Sequence, residues 1–271
     1  MCRLFFSFSA QERSPYGDLF DSKYSILRQS ETEGHKDGWG ICSFSDKGLE
    51  LLARRTVPLG ASVEDAKALS RNIHSKCTGF FIRNASNPLG LDRSKIITID
   101  ATQPFTYQNI AFMHNGSVYA PDKIMKEVKN PPMMLRSSND SEVYFIIFIK
   151  YLNELKDAYK AFSATVKFIT DTYKRVKENS ADAPEHAYTS LNAIVADGSR
   201  LYVLNKYTRN YFGTVSDPKR DFYKMCYKEN GDVLIATSEP MDDSGWKDLG
   251  NGKMLEAWIE KGKVKHSIRD I

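Results

Sequence analysis

Short runs of alternating or continuous apolar residues, punctuated by Gly, Asn and charged positions, dominate the first part of the chain. RLFFSFS, GWGICSFS, LELLARRTV, GFFIRNAS, IITID and IAFMHNGSV each read as a strand on this pattern. ASVEDAKALSRNIHS breaks the alternation: Val63, Ala66, Leu69 and Ile73 recur near helical spacing. Ser62 is placed to cap that helix, with Asp65 at its third position.

From Asp140 the period changes. SEVYFIIFIKYLNELKDAYKAFSATVKFITDTYKRVKENS holds apolar residues at helical intervals without Pro or Gly, which predicts two consecutive helices. ADAPEH marks a loop, LNAIVADGSRLYVLNKY a hairpin turning at Asp197-Gly198, and DVLIATS and KVKHSI two further strands. No linker, repeat or shift of composition divides this order. Strands, then helices, then strands predict one layered α+β domain over 1–271.

Composition narrows the class. In 271 residues, 41% hydrophobic and 12% aromatic content can fill a large core. Lys and Arg number 38 against 34 Asp and Glu, and they are dispersed, without the basic stripe of a nucleic-acid binder. The longest apolar stretches, such as VYFIIFI at 143–149, fall well short of a membrane span. LFFSFSA is likewise too short for a signal segment and runs straight into QERS. Cys2, Cys42, Cys77 and Cys226 form no C-x-x-C pair, so neither a zinc site nor a disulfide framework is expected. The expectation is a reduced, cytoplasmic protein with no metal, cofactor, nucleic-acid partner or membrane anchor.

Against that background several residues carry candidate chemistry. Cys2 follows Met1 directly, and Met1 is expected to be removed because the next residue is small. Removal would place a thiol beside a free α-amine with an ordinary pKa of about 7.7–8.0, a pairing in which the amine serves as base. Taken alone, Cys2 reads better as a small, half-buried side chain packed at the start of a strand. In GHKDGWG, His35 is a base or ligand, or else a hydrogen-bonded structural residue; Trp39 is a core anchor or a pocket wall. FMHNGSV places the Asn115 amide next to the Gly116 N–H, the two donors an oxyanion hole requires, although Asn-Gly also signals a plain turn. Arg83, at a strand end, can bind a carboxylate with two parallel bonds or form a surface ion pair. Asp140, in SSNDSE, caps a helix or meets an ammonium.

These elements in this order resemble the class II glutamine amidotransferases, a branch of the N-terminal-nucleophile hydrolases. The resemblance runs through Cys2-Arg3, HKDGWG, IRNAS, QPF at 103–105, HNG at 114–116, NDSE at 139–142 and ATSEP at 236–240. It is closest to the short stand-alone members, which include γ-glutamyl amide hydrolases of thiol metabolism. The resemblance implies a four-layer αββα sandwich with the nucleophile at the start of an inner strand. It implies Cys2 as nucleophile, its α-amine as base, and Asn115 with Gly116 as oxyanion hole. Arg83 and Ser86 would bind a substrate α-carboxylate and Asp140 its α-ammonium.

The implied substrate is a small molecule, glutamine or a γ-glutamyl amide, cleaved through a Cys2 thioester. Larger family members carry a synthase domain that consumes the ammonia; here ammonia is released, or a separate protein partner accepts it. A catalytically silent sensor of glutamate-like ligands is the reading from another class. One departure stands out. Relatives commonly have His two residues before the strand-end Arg, and Phe81 occupies that place, implying an altered pocket wall.

Overall fold

The computed structural model describes residues 2–87, 89–177 and 182–271. The expected removal of Met1 concerns a residue outside this set. The first half of the chain forms β1 (Arg3–Arg13), α1 (Ile26–Thr32), β2 (Gly38–Ser45), β3 (Gly48–Arg55), α2 (Val63–Asn72), β4 (Ser75–Arg83), α3 (Arg93–Ile96), β5 (Phe105–Tyr107), β6 (Ile110–Asn115) and α4 (Pro121–Lys126). Then come α5 (Asp140–Leu155), α6 (Ala158–Val176), β7 (Asn192–Ala196), β8 (Arg200–Asn205), β9 (Cys226–Glu229), β10 (Val233–Thr237), β11 (Lys247–Asp248), β12 (Lys253–Glu260) and β13 (Lys263–Asp270).

The strands form two antiparallel sheets, ordered β11-β9-β10-β1-β4-β2-β3 and β13-β12-β8-β7-β6-β5. Strand periodicity explains why they stack. In β1, Leu4, Phe6 and Phe8 point into the core shared with Ala111, Met113, Ile194 and Val203 of the second sheet. Phe5, between them, faces the opposite side, where Trp39, Ile41 and Phe80 pack with Ile26 of α1 and Ala66 of α2. In β6, Phe112 turns outward onto Tyr144, Phe145 and Phe148 of α5, with ring centroids 5.1, 5.0 and 6.0 Å away. Helices therefore cover both outer faces, giving the four-layer αββα arrangement that was expected.

The long apolar stretch is two helices, as its pattern predicts. Lys156 adopts a left-handed conformation (φ 53°), and the Asp157 carboxylate accepts from Lys160 N at 3.0 Å to start α6. From Val143 to Ile149 α5 is apolar all round because α4, α6 and the second sheet enclose it, whereas α6 buries only the stripe containing Phe162, Thr165, Ile169 and Tyr173.

Several details differ from the sequence reading, which also leaves the short strands β5, β9 and β11 and the short helices α1, α3 and α4 unnamed. IITID is not a strand: its first residue ends α3 and the rest turn, because Thr98 Oγ1 accepts from Ala101 N and Thr98 O accepts from Thr102 Oγ1. Those local bonds satisfy the backbone without a neighbouring strand. Ser62 does precede α2, but its hydroxyl accepts from Trp39 Nε1 at 2.8 Å and caps nothing. β12, which joins β8 to β13, carries no clean alternation in KMLEAWIE and was not anticipated. No helix among the described residues is long and apolar enough to cross a membrane.

Candidate active site

The entry to β1 is fastened by the ATSEP segment. Leu4 N donates to Ser238 Oγ, while Leu4 O accepts from Ser238 N and Thr237 Oγ1, all within 3.0 Å. Arg3 is fully buried, with its guanidinium between Glu33 and Glu239 and stacked 3.6 Å from the Phe222 ring. These ties fix half-buried Cys2 at the strand mouth. Its Sγ donates to Asn84 O at 3.6 Å and its N to Asn115 Oδ1 at 3.1 Å.

Asn115 ends β6, and the QPF segment holds that strand end. Gln103 Oε1 accepts from His114 N at 2.6 Å and its Nε2 donates to His114 O at 3.3 Å. Gly40 lets this segment approach β2, since a Cβ there would lie 2.1 Å from Gln103 O. The His114 ring is neutral, its pKa pushed down to about 4 by burial. With Ser190 O 2.9 Å from Nε2, the proton sits on Nε2, and Nδ1 accepts from Ser141 Oγ at 2.8 Å. Because Asn115 Oδ1 takes the Cys2 N–H, its Nδ2 turns away, buried and without a hydrogen-bond partner among the described residues. Gly116 follows at φ 152°, and a Cβ there would lie 2.1 Å from Ser190 O. No larger residue fits that position.

Charged groups surround the thiol. Arg83 Nη2 donates to Ile96 O at 2.7 Å, whereas Nη1 is buried with no hydrogen-bond partner among the described residues. Burial lowers the Arg83 pKa, against the opposing pull of Cys2, Asp37 and Asp140. Asp140 is the first residue of α5 and not its cap: Asn139 takes that role, accepting from Ser141 N at 2.9 Å. The Asp140 carboxylate instead accepts from Val118 N at 2.7 Å and, weakly, from Ser86 Oγ at 3.4 Å. Burial raises its pKa to about 6, although the Val118 bond works in the other direction. Burial likewise raises the Cys2 thiol, so it is protonated at neutral pH. Glu142 completes NDSE by accepting from Arg136 N and Ser137 N. Each NDSE side chain thus binds a different contact segment of the site wall or its support.

Cys2, Asn115, Gly116, Arg83, Asp140 and Ser86 therefore converge. His35 does not join them: it is buried behind α1, its N donating to Ser30 O and its ring 3.3 Å from Gln29 O. Trp39 is a core residue stacked on Phe80. Phe81 is fully buried in the inter-sheet core, opposite Leu4 of β1, so the expected change of pocket wall is a change of packing between the sheets. Asn84, Asp37, Gln103 and Ser238 were not foreseen as participants. All four stand in motifs that carry the resemblance: Asn84 in IRNAS, Asp37 in HKDGWG, Gln103 in QPF and Ser238 in ATSEP. Beside Asn84 opens a cavity of about 620 Å³ lined by Glu33, Arg209, Tyr211, Phe222 and Tyr223. Among the described residues, no group of three or more His, Cys, Asp or Glu is placed to hold a metal ion.

With this fold and this arrangement at the mouth of β1, residues 1–270 match the family model of class-II glutamine amidotransferases, and the chain belongs to that family. It is 27% identical over 173 residues to "Probable glutamine amidotransferase DUG3" of Saccharomyces cerevisiae, a match covering 51% of this chain and 46% of that protein. The match thus spans about half the length of that curated relative. Two solved structures share the fold. A glutamine aminotransferase class-II domain protein from Silicibacter pomeroyi superposes with a TM-score of 0.66 at 17% identity, covering 100% of this chain and 99% of that one. A glutamine phosphoribosylpyrophosphate amidotransferase from B. subtilis gives 0.59 at 13% identity, covering 98% of this chain and 49% of that one.

Proposed function

We propose that this protein hydrolyses the γ-carboxamide of glutamine or of a γ-glutamyl amide through a thioester on Cys2. The observation that carries the reading is the orientation of Asn115, whose Oδ1 holds the Cys2 nitrogen while Nδ2 is left buried without a hydrogen-bond partner among the described residues. A buried donor without an acceptor is costly, and an oxyanion formed at the substrate carbonyl would supply the acceptor. The Gly116 N–H is the second donor.

Once Met1 is removed, the Cys2 nitrogen is a free α-amine. The buried thiol needs a base at neutral pH, and this amine is its own neighbour. The amine takes the thiol proton as sulfur attacks the carbonyl carbon, forming the S–C bond and placing the electron pair on oxygen. Collapse of that oxyanion breaks the C–N bond, and the ammonium returns its proton to the leaving nitrogen. Water then attacks the thioester, yielding the γ-carboxylate and restoring the thiol. Arg83 Nη1 meets the substrate α-carboxylate, Ser86 lies alongside it, and Asp140 meets the α-ammonium. The cavity beyond Asn84 takes the departing amine, and its volume of about 620 Å³ admits amines larger than ammonia.

Substrate trimming tests the assignment. Glutarate monoamide keeps the scissile amide and the carboxylate but lacks the amine that Asp140 is proposed to read. Its kcat/KM is expected to fall at least about a hundredfold below that of glutamine, the scale of a lost charge-assisted contact with a buried partner. Equal hydrolysis of the two would refute this reading.

A further inference from the structure

Arg83 is held from behind by a closed circuit of contacts that touches none of the reacting atoms. Asp37, at the entrance to β2, is 1% exposed. Its N donates to Arg83 O at 3.1 Å and its Oδ2 accepts from Ala85 N at 2.8 Å, gripping the chain on both sides of Asn84. Its Oδ1 pairs with Arg93 Nη2 at 2.5 Å. Arg93 opens α3, and Ile96, the last residue of α3, accepts from Arg83 Nη2 at 2.7 Å. The circuit runs from Asp37 through Arg93 and α3 to the Arg83 side chain, and back through the Arg83 carbonyl to Asp37.

We infer that Asp37 and Arg93 are positioning residues for substrate recognition, holding α3 so that Arg83 Nη2 is occupied and Nη1 faces the substrate α-carboxylate. The inference rests on the carboxylate-binding role proposed for Arg83. A flexible arginine anchored by one bond on one nitrogen keeps its fork aimed, and aim decides whether carboxylate recognition works. Arg93 also neutralises Asp37. Without it, the buried Asp37 carboxylate has Arg83 as a nearby cation, and attraction turns the guanidinium away from the site.

The Arg93 side chain is 55% exposed, so Arg93→Ala leaves the core intact, which thermal unfolding checks. Its KM for glutamine is expected to rise about ten- to a hundredfold with kcat nearly kept, the scale of a small misplacement of a binding group. Alkylation of Cys2 by iodoacetamide, which carries no α-carboxylate, should proceed at the wild-type rate, while a diazoketone analogue of glutamine should label more slowly. Asp37→Asn should behave alike. In an Arg83→Ala background, Arg93→Ala should add nothing further. Additive losses in that double variant, or slowed iodoacetamide labelling, overturn the inference while leaving Arg83 in its role. A wild-type KM in Arg83→Ala alone would overturn both.

Discussion

The unusual acidity of Asp140 gives a prediction with a sign opposite to that of most carboxylates. Its pKa moves from an ordinary 3.8 to about 6, so keeping it ionised in the empty site costs about 3 kcal/mol. The unfolded chain releases this proton near 3.8 and the folded chain near 6. Between those values the folded state holds more protons, and stability falls as pH rises through the window; the destabilisation is absent below it and complete above it. Of the total, a little over about 1 kcal/mol lies between about pH 5 and pH 7. Asp140→Asn removes the titration while an amide oxygen can still accept from Val118 N, so urea unfolding of wild type and variant should diverge by that amount over this interval.

Ligand binding should show the same group from the other side. A bound ammonium favours the ionised carboxylate, which at about pH 5 is only roughly a tenth of the population. Calorimetric titration of glutamine into Cys2→Ala, where neither thiol nor turnover intervenes, should give a Kd about tenfold weaker at about pH 5 than at pH 7. Adding Asp140→Asn should leave binding weak and flat with pH. A flat Kd in the Cys2→Ala protein would refute the pairing of Asp140 with the ammonium.

Three substitutions probe the rest of the site. Asn115→Ala should lower kcat about 100- to 1,000-fold with little change in KM, because an oxyanion donor acts only after attack; steady-state kinetics reads this directly. Gly116→Ala should destabilise the fold by more than about 2 kcal/mol in a denaturant titration, since its Cβ would meet Ser190 O at 2.1 Å in a strained backbone. Arg83→Lys should raise KM despite the conserved charge, because a point charge replaces a planar fork.

Much of this architecture was legible because the signals were local. The alternation in RLFFSFS and the helical period after Asp140 report which face each element buries, and two buried faces require covering layers. β12 was not legible because its alternation is poor and pairing with β8 and β13 supplies its register. IITID misled because Thr98 satisfies the backbone through its own hydroxyl and carbonyl, a choice apolar content does not reveal. Within the site, Cys2, Asn115 and Arg83 stood out by their chemistry. Asp37 and Gln103 did not, because they act on backbone atoms of segments distant in the chain, and only the folded geometry reports such pairings. Asp140 was ambiguous for a related reason: a carboxylate opening a helix looks like a cap until Asn139 is seen to fill that place.

Covalent chemistry at Cys2 is the step on which the proposed hydrolysis depends. Purified protein mixed with glutamine and quenched in acid during turnover, then mapped by peptide mass spectrometry, should yield an amino-terminal peptide that lacks Met1 and is heavier by one γ-glutamyl group on Cys2. Turnover with an unmodified Cys2, with the adduct on Cys42, Cys77 or Cys226, or with Met1 still in place would contradict it.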